Sequence, residues 1–325
     1  MCCAASCWAS THRVSSVISQ IFIQNTASFY QSVFSGLKYR RWSIDLQLVI
    51  YLLGGLIGLY LLFTLICTYF VQQLPRKPVT DPLDWGRVID TKIPAIDGGF
   101  LEIWRIEPQG RSKGLVVFAH GWGRNRDRMV SRARIFARWG FTTIIHSARD
   151  HGGSSRRRFM NAVKFAEDIE AVLKWLDQPV ILYGHSVGSA GAIITASRNP
   201  DKIRILFLEA GYAYTREALL SLYRWVNPFF GICFGPMILF WLNLFYGNKL
   251  DTVSPARLAP GIKIPVMLVH GEKDRRFPLE FALKLKRSFA PQQVELYVAE
   301  GVGHSDCSRT PGYGAALKSF LDRHL

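Results

Sequence analysis

Val180-Ile181-Leu182-Tyr183-Gly184-His185-Ser186-Val187-Gly188-Ser189-Ala190-Gly191-Ala192 is the stretch on which the fold turns. Its first four residues form a short apolar run of the kind buried on both faces of a parallel sheet. Its last four are small and helix-compatible. Between them lies the pentapeptide G-x-S-x-G. A strand that turns straight into a helix strains the serine backbone, so the residues two away must be small, and Gly184 and Gly188 satisfy this. The turn pushes the hydroxyl out at the C-terminal edge of the sheet. There the helix dipole favours developing negative charge. The pentapeptide alone occurs by chance; the strand–turn–helix setting gives it weight.

A hydroxyl is a poor nucleophile near neutral pH and needs a base, which in turn needs an orienting carboxylate. Downstream lie His270-Gly271-Glu272-Lys273-Asp274 and Gly301-Val302-Gly303-His304, each after an apolar, strand-like run. An aspartate beside basic residues, or a histidine after glycine, is commonly just a turn residue. Their order, their loop positions and the flanking glycines favour Asp274 and His304 as partners of Ser186. Glu272 and Asp306 are the alternative acids, with Glu209 behind them. Acyl transfer also needs donors for an oxyanion. His120-Gly121-Trp122-Gly123 follows the run Leu115–Ala119, and the backbone N–H groups of Trp122 and Val187 are the candidates. His120, Gly121, Gly123 and His185 are read as the substrate-binding surroundings.

Outward from these motifs the chain alternates strand and helix, which predicts an α/β architecture with right-handed crossovers. Arg87–Ile93 and Phe100–Ile106 read as a hairpin turned at Asp97-Gly98-Gly99. Phe141–Ile145, Ile203–Leu208, Pro265–Val269 and Val294–Val298 read as further strands. Asn161–Leu176, Leu279–Phe289 and Gly314–Leu325 read as helices. Residues 213–250 interrupt the alternation. Within them Pro228–Tyr246 is almost wholly apolar but broken by Gly231, Gly235, Pro236 and Asn243. A second membrane span, a buried helical insert and an apolar lid that touches a bilayer are all compatible with it.

Leu48–Val71 carries no charge and no amide side chain. As a helix it would be roughly 36 Å long, enough for a hydrocarbon layer of about 30 Å. A cleaved signal peptide would have a shorter apolar part ending in small residues, and no such site precedes Gln72. The expected organisation is a tail over 1–45, a transmembrane helix over 46–72, a proline-containing linker over 73–87 and a catalytic domain over 88–325. The tail holds Cys2 and Cys3, which acylation could use in a cytosolic setting. Flanking basic residues lie on both sides of the helix, so orientation is weakly specified.

The 325 residues carry a formal charge of +16, which favours anionic partners. No zinc-finger spacing, RNA-binding aromatic signature or long lysine run is present, so a membrane surface is preferred over nucleic acid. Six cysteines form neither a disulfide framework nor, with histidine, a metal site, which mildly favours a cytoplasmic catalytic domain. Arg124, Arg126 and Arg128 follow the candidate oxyanion loop; Arg149, Arg156, Arg157 and Arg158 surround the next turn. They read as a solvated basic rim, or as a site for anionic headgroups or an acidic substrate group.

The set HGWG at 120–123, SARDHGGSS at 147–155, GHSVG at 184–188, HGEKDRRFP at 270–278 and GVGHSD at 301–306 resembles the α/β-hydrolase superfamily. It is most similar to the lysophospholipase, monoacylglycerol-lipase and serine-peptidase-like branches. The resemblance covers about residues 88–325. It implies an eight-stranded, mostly parallel sheet, a lid inserted after the sixth strand and no cofactor. The turn at Asp150-His151-Gly152 departs from the Arg-Gly more usual in such proteins, which weakens any substrate analogy. The resulting expectation is a single-pass membrane esterase or lipase-like hydrolase acting on lipid-like esters. A peptidase or acyltransferase on the same triad, or a non-catalytic membrane scaffold, is the alternative, since fold alone does not fix function.

Overall fold

The computed structural model describes residues 46–73, 77 and 85–325. The expected tail over 1–45 and most of the expected linker lie outside the described residues. Helix α1, Leu46–Phe70, is 25 residues of near-continuous apolar sequence without an acidic or basic side chain in its terminal turns. Among the described residues it is the one helix long and apolar enough to cross a membrane. The chain divides into two compact units at Gly58, within this helix.

The second unit is built on an eight-stranded sheet of order β1-β2-β4-β3-β5-β6-β7-β8. Its strands are β1 (Arg87–Pro94), β2 (Phe100–Glu107), β3 (Leu115–Ala119), β4 (Thr142–His146), β5 (Val180–His185), β6 (Ile203–Glu209), β7 (Val266–Gly271) and β8 (Val294–Ala299). The first two form the expected hairpin, with Arg87 opposite Glu107, and β2 runs antiparallel to β4. From β3 to β8 all pairings are parallel. The order reverses about β3, between β4 and β5, and the crevice outside the C-terminal strand ends at such a reversal is where open α/β sheets bind ligands.

Helices α2 (Val130–Arg138), α3 (Ala162–Leu176) and α4 (Val187–Arg198) lie in the first half of the sheet domain. Successive strand residues alternate between two cores. Val117, Leu182, Leu206 and Leu268 pack with Ile169, Val172 and Ile193 on one face. Val116, Ile181, Phe207 and Met267 pack with Phe136, Leu317 and Phe320 on the other. Strands buried on both faces explain the continuous apolar runs, which lack a period of two. Asn161 caps α3 by accepting the Lys164 N–H at 3.0 Å.

After β6 come three helices, α5 (Thr215–Val226), α6 (Pro228–Cys233) and α7 (Gly235–Phe245). The apolar run 228–246 is thus two helices of 6 and 11 residues. The Gly235-Pro236 pair starts a new helix because proline cannot supply the N–H that would continue the old one. Tyr223, Ile238, Leu239, Leu242 and Leu250 form a small core of their own, against which Cys67 and Val71 pack. The end of α1 also contributes polar contacts. Trp241 Nε1 donates to Thr64 Oγ1 at 3.1 Å, and the Tyr60 hydroxyl to the Cys233 carbonyl at 2.7 Å. Short helices α8 (Pro255–Leu258) and α9 (Leu279–Lys286) and the terminal α10 (Tyr313–His324) complete the unit.

Candidate active site

Ser186 stands between β5 and α4 with φ 57° and ψ −122°, a left-handed conformation that side chains normally avoid. A β-carbon on Gly184 would collide with the Gly188 carbonyl. One on Gly188 would lie 2.5 Å from the Ala119 carbonyl oxygen and 2.6 Å from that of His120. Only glycines let the turn press against β3. The strained backbone is held from below, where Ser186 N–H donates to the Glu209 carbonyl at 2.9 Å.

The loop after β7 brings Asp274 to the same edge, and the loop after β8 brings His304. Asp274 Oδ1 accepts the backbone N–H groups of Arg276 and Phe277 at 2.9 and 3.0 Å. Its Oδ2 stands 2.7 Å from His304 Nδ1, and His304 Nε2 stands 3.0 Å from Ser186 Oγ. An ionised carboxylate only accepts, so Nδ1 carries the imidazole proton and the Nε2 lone pair faces the serine. Burial works to raise the Asp274 carboxyl. The hydrogen bond and charge of His304, with the Phe277 N–H, nonetheless hold it below its usual range. His270 approaches Asp274 Oδ2 only to 3.6 Å; its Nε2–H donates to the Phe277 carbonyl at 2.8 Å.

The rival acids are engaged elsewhere. Glu272 Oε2 accepts the Gly301 N–H at 2.8 Å, and Asp306 pairs with Arg309 at 3.2 Å. Glu209 is buried, accepting from Arg132 at 2.9 and 2.5 Å and from the Tyr183 hydroxyl at 2.6 Å. Burial would raise its carboxyl, but Arg132 draws it down to about 2.

The four residues read as substrate-binding divide into two pairs. Gly121 and His185 reach the cavity above Ser186, whereas His120 and Gly123 do not line it. His120 is buried with both nitrogens spent: Nδ1–H donates to the Gly121 carbonyl at 2.7 Å and Nε2 accepts the Ala148 N–H at 2.9 Å. Burial pushes its imidazole well below the usual range, so it is a neutral brace. Gly123 N–H donates to His151 Nε2 at 3.2 Å, and His151 Nδ1–H donates to the Arg149 carbonyl at 2.8 Å. The unusual His151 in the turn after β4 therefore supports the loop that carries Trp122. His185 donates to the His304 carbonyl at 3.0 Å, and burial pushes its pKa down to about 3. Val187 is the first residue of α4, so its N–H has no partner within the helix.

A family model described as "Serine aminopeptidase, S33" matches residues 110–237. The AB hydrolase superfamily protein YisY of Bacillus subtilis is 28% identical over 227 residues, 58% of this chain and 84% of that protein. Monoglyceride lipase of Homo sapiens is 32% identical over 112 residues, 32% of this chain and 37% of the lipase. The Pyrococcus furiosus esterase Pf2001 superposes with a TM-score of 0.61 at 20% identity, covering 78% of this chain and 99% of the esterase. The chain belongs to the α/β-hydrolase superfamily.

In this α/β-hydrolase the cavity above Ser186 has a volume of about 450 Å³. Trp122 contributes to its wall, as does Trp225 of α5, a residue to which the sequence drew no attention. Two members of the expected arginine rim do not belong to it. Arg126 is buried, bonded to Asp90 at 2.8 and 2.9 Å with its guanidinium 3.9 Å above the Trp104 ring. Arg149 is buried against Asp168, Asp97 and Glu167. These two fasten strands and turns together. Arg124 and Arg128 do line the cavity, joined by Lys273, Arg275 and Arg276 from the Asp274 loop. The Arg-Arg pair directly after Asp274 was the available sequence signal for that second group.

Proposed function

We propose that this α/β-hydrolase is a membrane-anchored serine esterase that cleaves lipid-like carboxylic esters. The observation that carries the reading is the connected path from Ser186 Oγ through His304 to Asp274, at 3.0 and 2.7 Å. Ser186 Oγ attacks the acyl carbonyl while His304 Nε2 takes its proton. The carbonyl oxygen becomes an oxyanion, for which the N–H groups of Trp122 and Val187 are the proposed donors. The C–O bond to the alcohol breaks, and the alkoxide leaves with the proton from His304. Water then attacks the acyl-enzyme, giving its proton to His304, and the acid departs as Ser186 is restored. Asp274 keeps the imidazole in one tautomer and balances the cation formed in each half. Ester substrates are favoured by similarity to a monoglyceride lipase and, over 99 residues at 32% identity, to a Neisseria meningitidis pimeloyl-[acyl-carrier protein] methyl ester esterase.

Helix α1 acts as a retained anchor in this reading. Its length supports that role, as do the bonds that residues 60 and 64 make to the α6–α7 segment, since a segment destined for removal has no need of such contacts. Unpaired Cys233 and Cys307 suit a reducing compartment and hence a cytoplasmic catalytic domain.

Treating membranes with a fluorophosphonate probe tests the chemistry. The native chain is expected to label and Ser186→Ala not to; equal labelling of both removes the reading. Alkaline carbonate extraction tests the anchor, with the chain expected in the membrane pellet. The description of the matched family supports amide cleavage on the same triad, so aminoacyl p-nitroanilides turned over faster than p-nitrophenyl esters would select that alternative.

A further inference from the structure

The cavity over Ser186 is ringed by Arg124, Arg128, Lys273, Arg275 and Arg276. Of its two acids, Asp274 is bound to His304 and Asp306 to Arg309. None of the five cations has a carboxylate within ion-pair distance among the described residues. The buried arginines elsewhere are treated differently: Arg126, Arg132 and Arg149 each hold at least one carboxylate. Arg128 also keeps a buried Nε without a hydrogen-bond partner, and its Nη2 reaches only the Ser305 carbonyl at 3.4 Å. Arg276 is held in position by stacking on Trp225, with its guanidinium 4.2 Å from the ring centre. The fold thus pairs its structural arginines directly with carboxylates and leaves those facing Ser186 without a direct ion-pair partner among the described residues.

From this we infer that the substrate is an acyl ester whose alcohol portion carries a phosphate, held by the cavity's guanidinium groups while Ser186 attacks the acyl carbon. The inference rests on the serine-esterase reading above and specifies its substrate class. Guanidinium forks bind phosphate oxygens in pairs, and a cleft of one sign concentrates ions of the other. A phosphate monoester brings nearly two charges and three acceptor oxygens, a closer match to several cations than a single carboxylate. The same field disfavours the α-ammonium group that an aminopeptidase must hold. An apolar helix preceding the domain in the chain suits an amphiphilic ester of the lysophospholipid kind, although a short-chain acylglycerol phosphate presents the same group.

The test compares 1-acylglycerol 3-phosphate with the 1-acylglycerol of the same chain, long and short, using the full chain in mixed micelles. The phosphate ester is expected to be preferred by about tenfold or more in kcat/KM. That ratio should shrink as ionic strength rises and fall several-fold in Arg124→Gln/Arg275→Gln, whose target residues are exposed. Arg198→Gln/Arg323→Gln removes as much charge away from the cavity and is expected to leave the ratio alone. Preference for long chains assigns the group to a membrane lipid, and indifference to length assigns it to a soluble ester. A ratio near one, or one unmoved by the cavity variant, overturns the inference while neutral-ester turnover and Ser186 labelling still support the esterase. Absence of both turnover and labelling removes the esterase reading and this inference with it.

Discussion

Replacing Glu209 by glutamine would leave Arg132 charged and buried with a neutral amide in place of its carboxylate. Arg132 is 2% exposed and Glu209 is fully covered, so solvent cannot take over the lost interaction. A carboxyl drawn from 4.5 to about 2 corresponds to roughly 3 kcal/mol of folding stability. Removing one partner of a buried pair typically costs about 3–5 kcal/mol. In a domain of this size each kcal/mol moves the midpoint by roughly 2–4 °C, so Glu209→Gln should lower Tm by roughly 6–20 °C. Near-UV circular dichroism of the full chain in detergent, heated at neutral pH, measures this. Arg132→Met/Glu209→Met, which removes both charges, should be more stable than Glu209→Gln alone, because no buried ion is left without a partner. The folded carboxyl titrates below its unfolded value. Its contribution is therefore complete above pH 4.5 and is lost as the pH falls towards about 2, so the gap between native and variant closes over that window. A Tm within about 2 °C of native, or a double variant weaker than the single, would refute the reasoning.

Asp274→Asn should lower kcat on p-nitrophenyl butyrate by roughly 10³–10⁴-fold, by allowing the wrong imidazole tautomer; a loss under about tenfold would deny Asp274 its role. His151→Phe removes the acceptor for the Gly123 N–H and should cut kcat by about tenfold with KM little changed, whereas a change confined to KM would point to substrate contact instead. Gly188→Ala must move its neighbour from 2.5 Å to at least 3.0 Å, and at about 10² per ångström of misplacement that shift predicts a loss near tenfold in kcat/KM. Because the Asp274 carboxyl is held below its usual range, its stabilising contribution is present above the unfolded carboxylate pKa and is lost only below it. Urea midpoints should therefore be flat from about pH 7 to 5 and fall under more acidic conditions.

The elbow was legible because its chemistry is local: the apolar strand, both glycines and the small-residue helix lie within thirteen consecutive residues. The sheet was legible for a related reason, since strands buried on both faces leave unbroken apolar runs. What sequence could not resolve was pairing at a distance. Arg126 and Arg149 sit in arginine-rich stretches and read as free rim charges. Their carboxylates come from β1, from the hairpin turn and from α3, 36, 52 and 19 residues away. Glu209 read as a rival acid because it ends a strand at the catalytic edge. Its partner Arg132 is 77 residues away and fixes it beneath the site. His120 suggested substrate contact by its place in the motif, but its ring points back into the protein, where the loop needs support. In the apolar run 228–246, composition alone left three readings open, and the Gly-Pro interruption divided it into two short helices.

Glu209 joins the turn that carries Ser186 to the loop that carries His304. Its backbone carbonyl accepts the Ser186 N–H at 2.9 Å and so helps hold the nucleophile's strained turn. Its carboxylate binds Arg132, whose Nη2 donates to the Ser305 carbonyl at 2.8 Å, one residue from His304. A single buried side chain and its own backbone thus connect the serine's turn to the histidine's loop. A hydrophobic replacement of the ion pair could fill the same volume and even raise stability, and it would keep the backbone carbonyl that accepts from Ser186, but it would lose the guanidinium donor to the Ser305 carbonyl. That is a physical reason to keep a buried ion pair where an apolar pair would fold as well: the arginine's bond to Ser305 braces the loop next to His304, and the proposed proton transfer over 3.0 Å depends on where that loop stands.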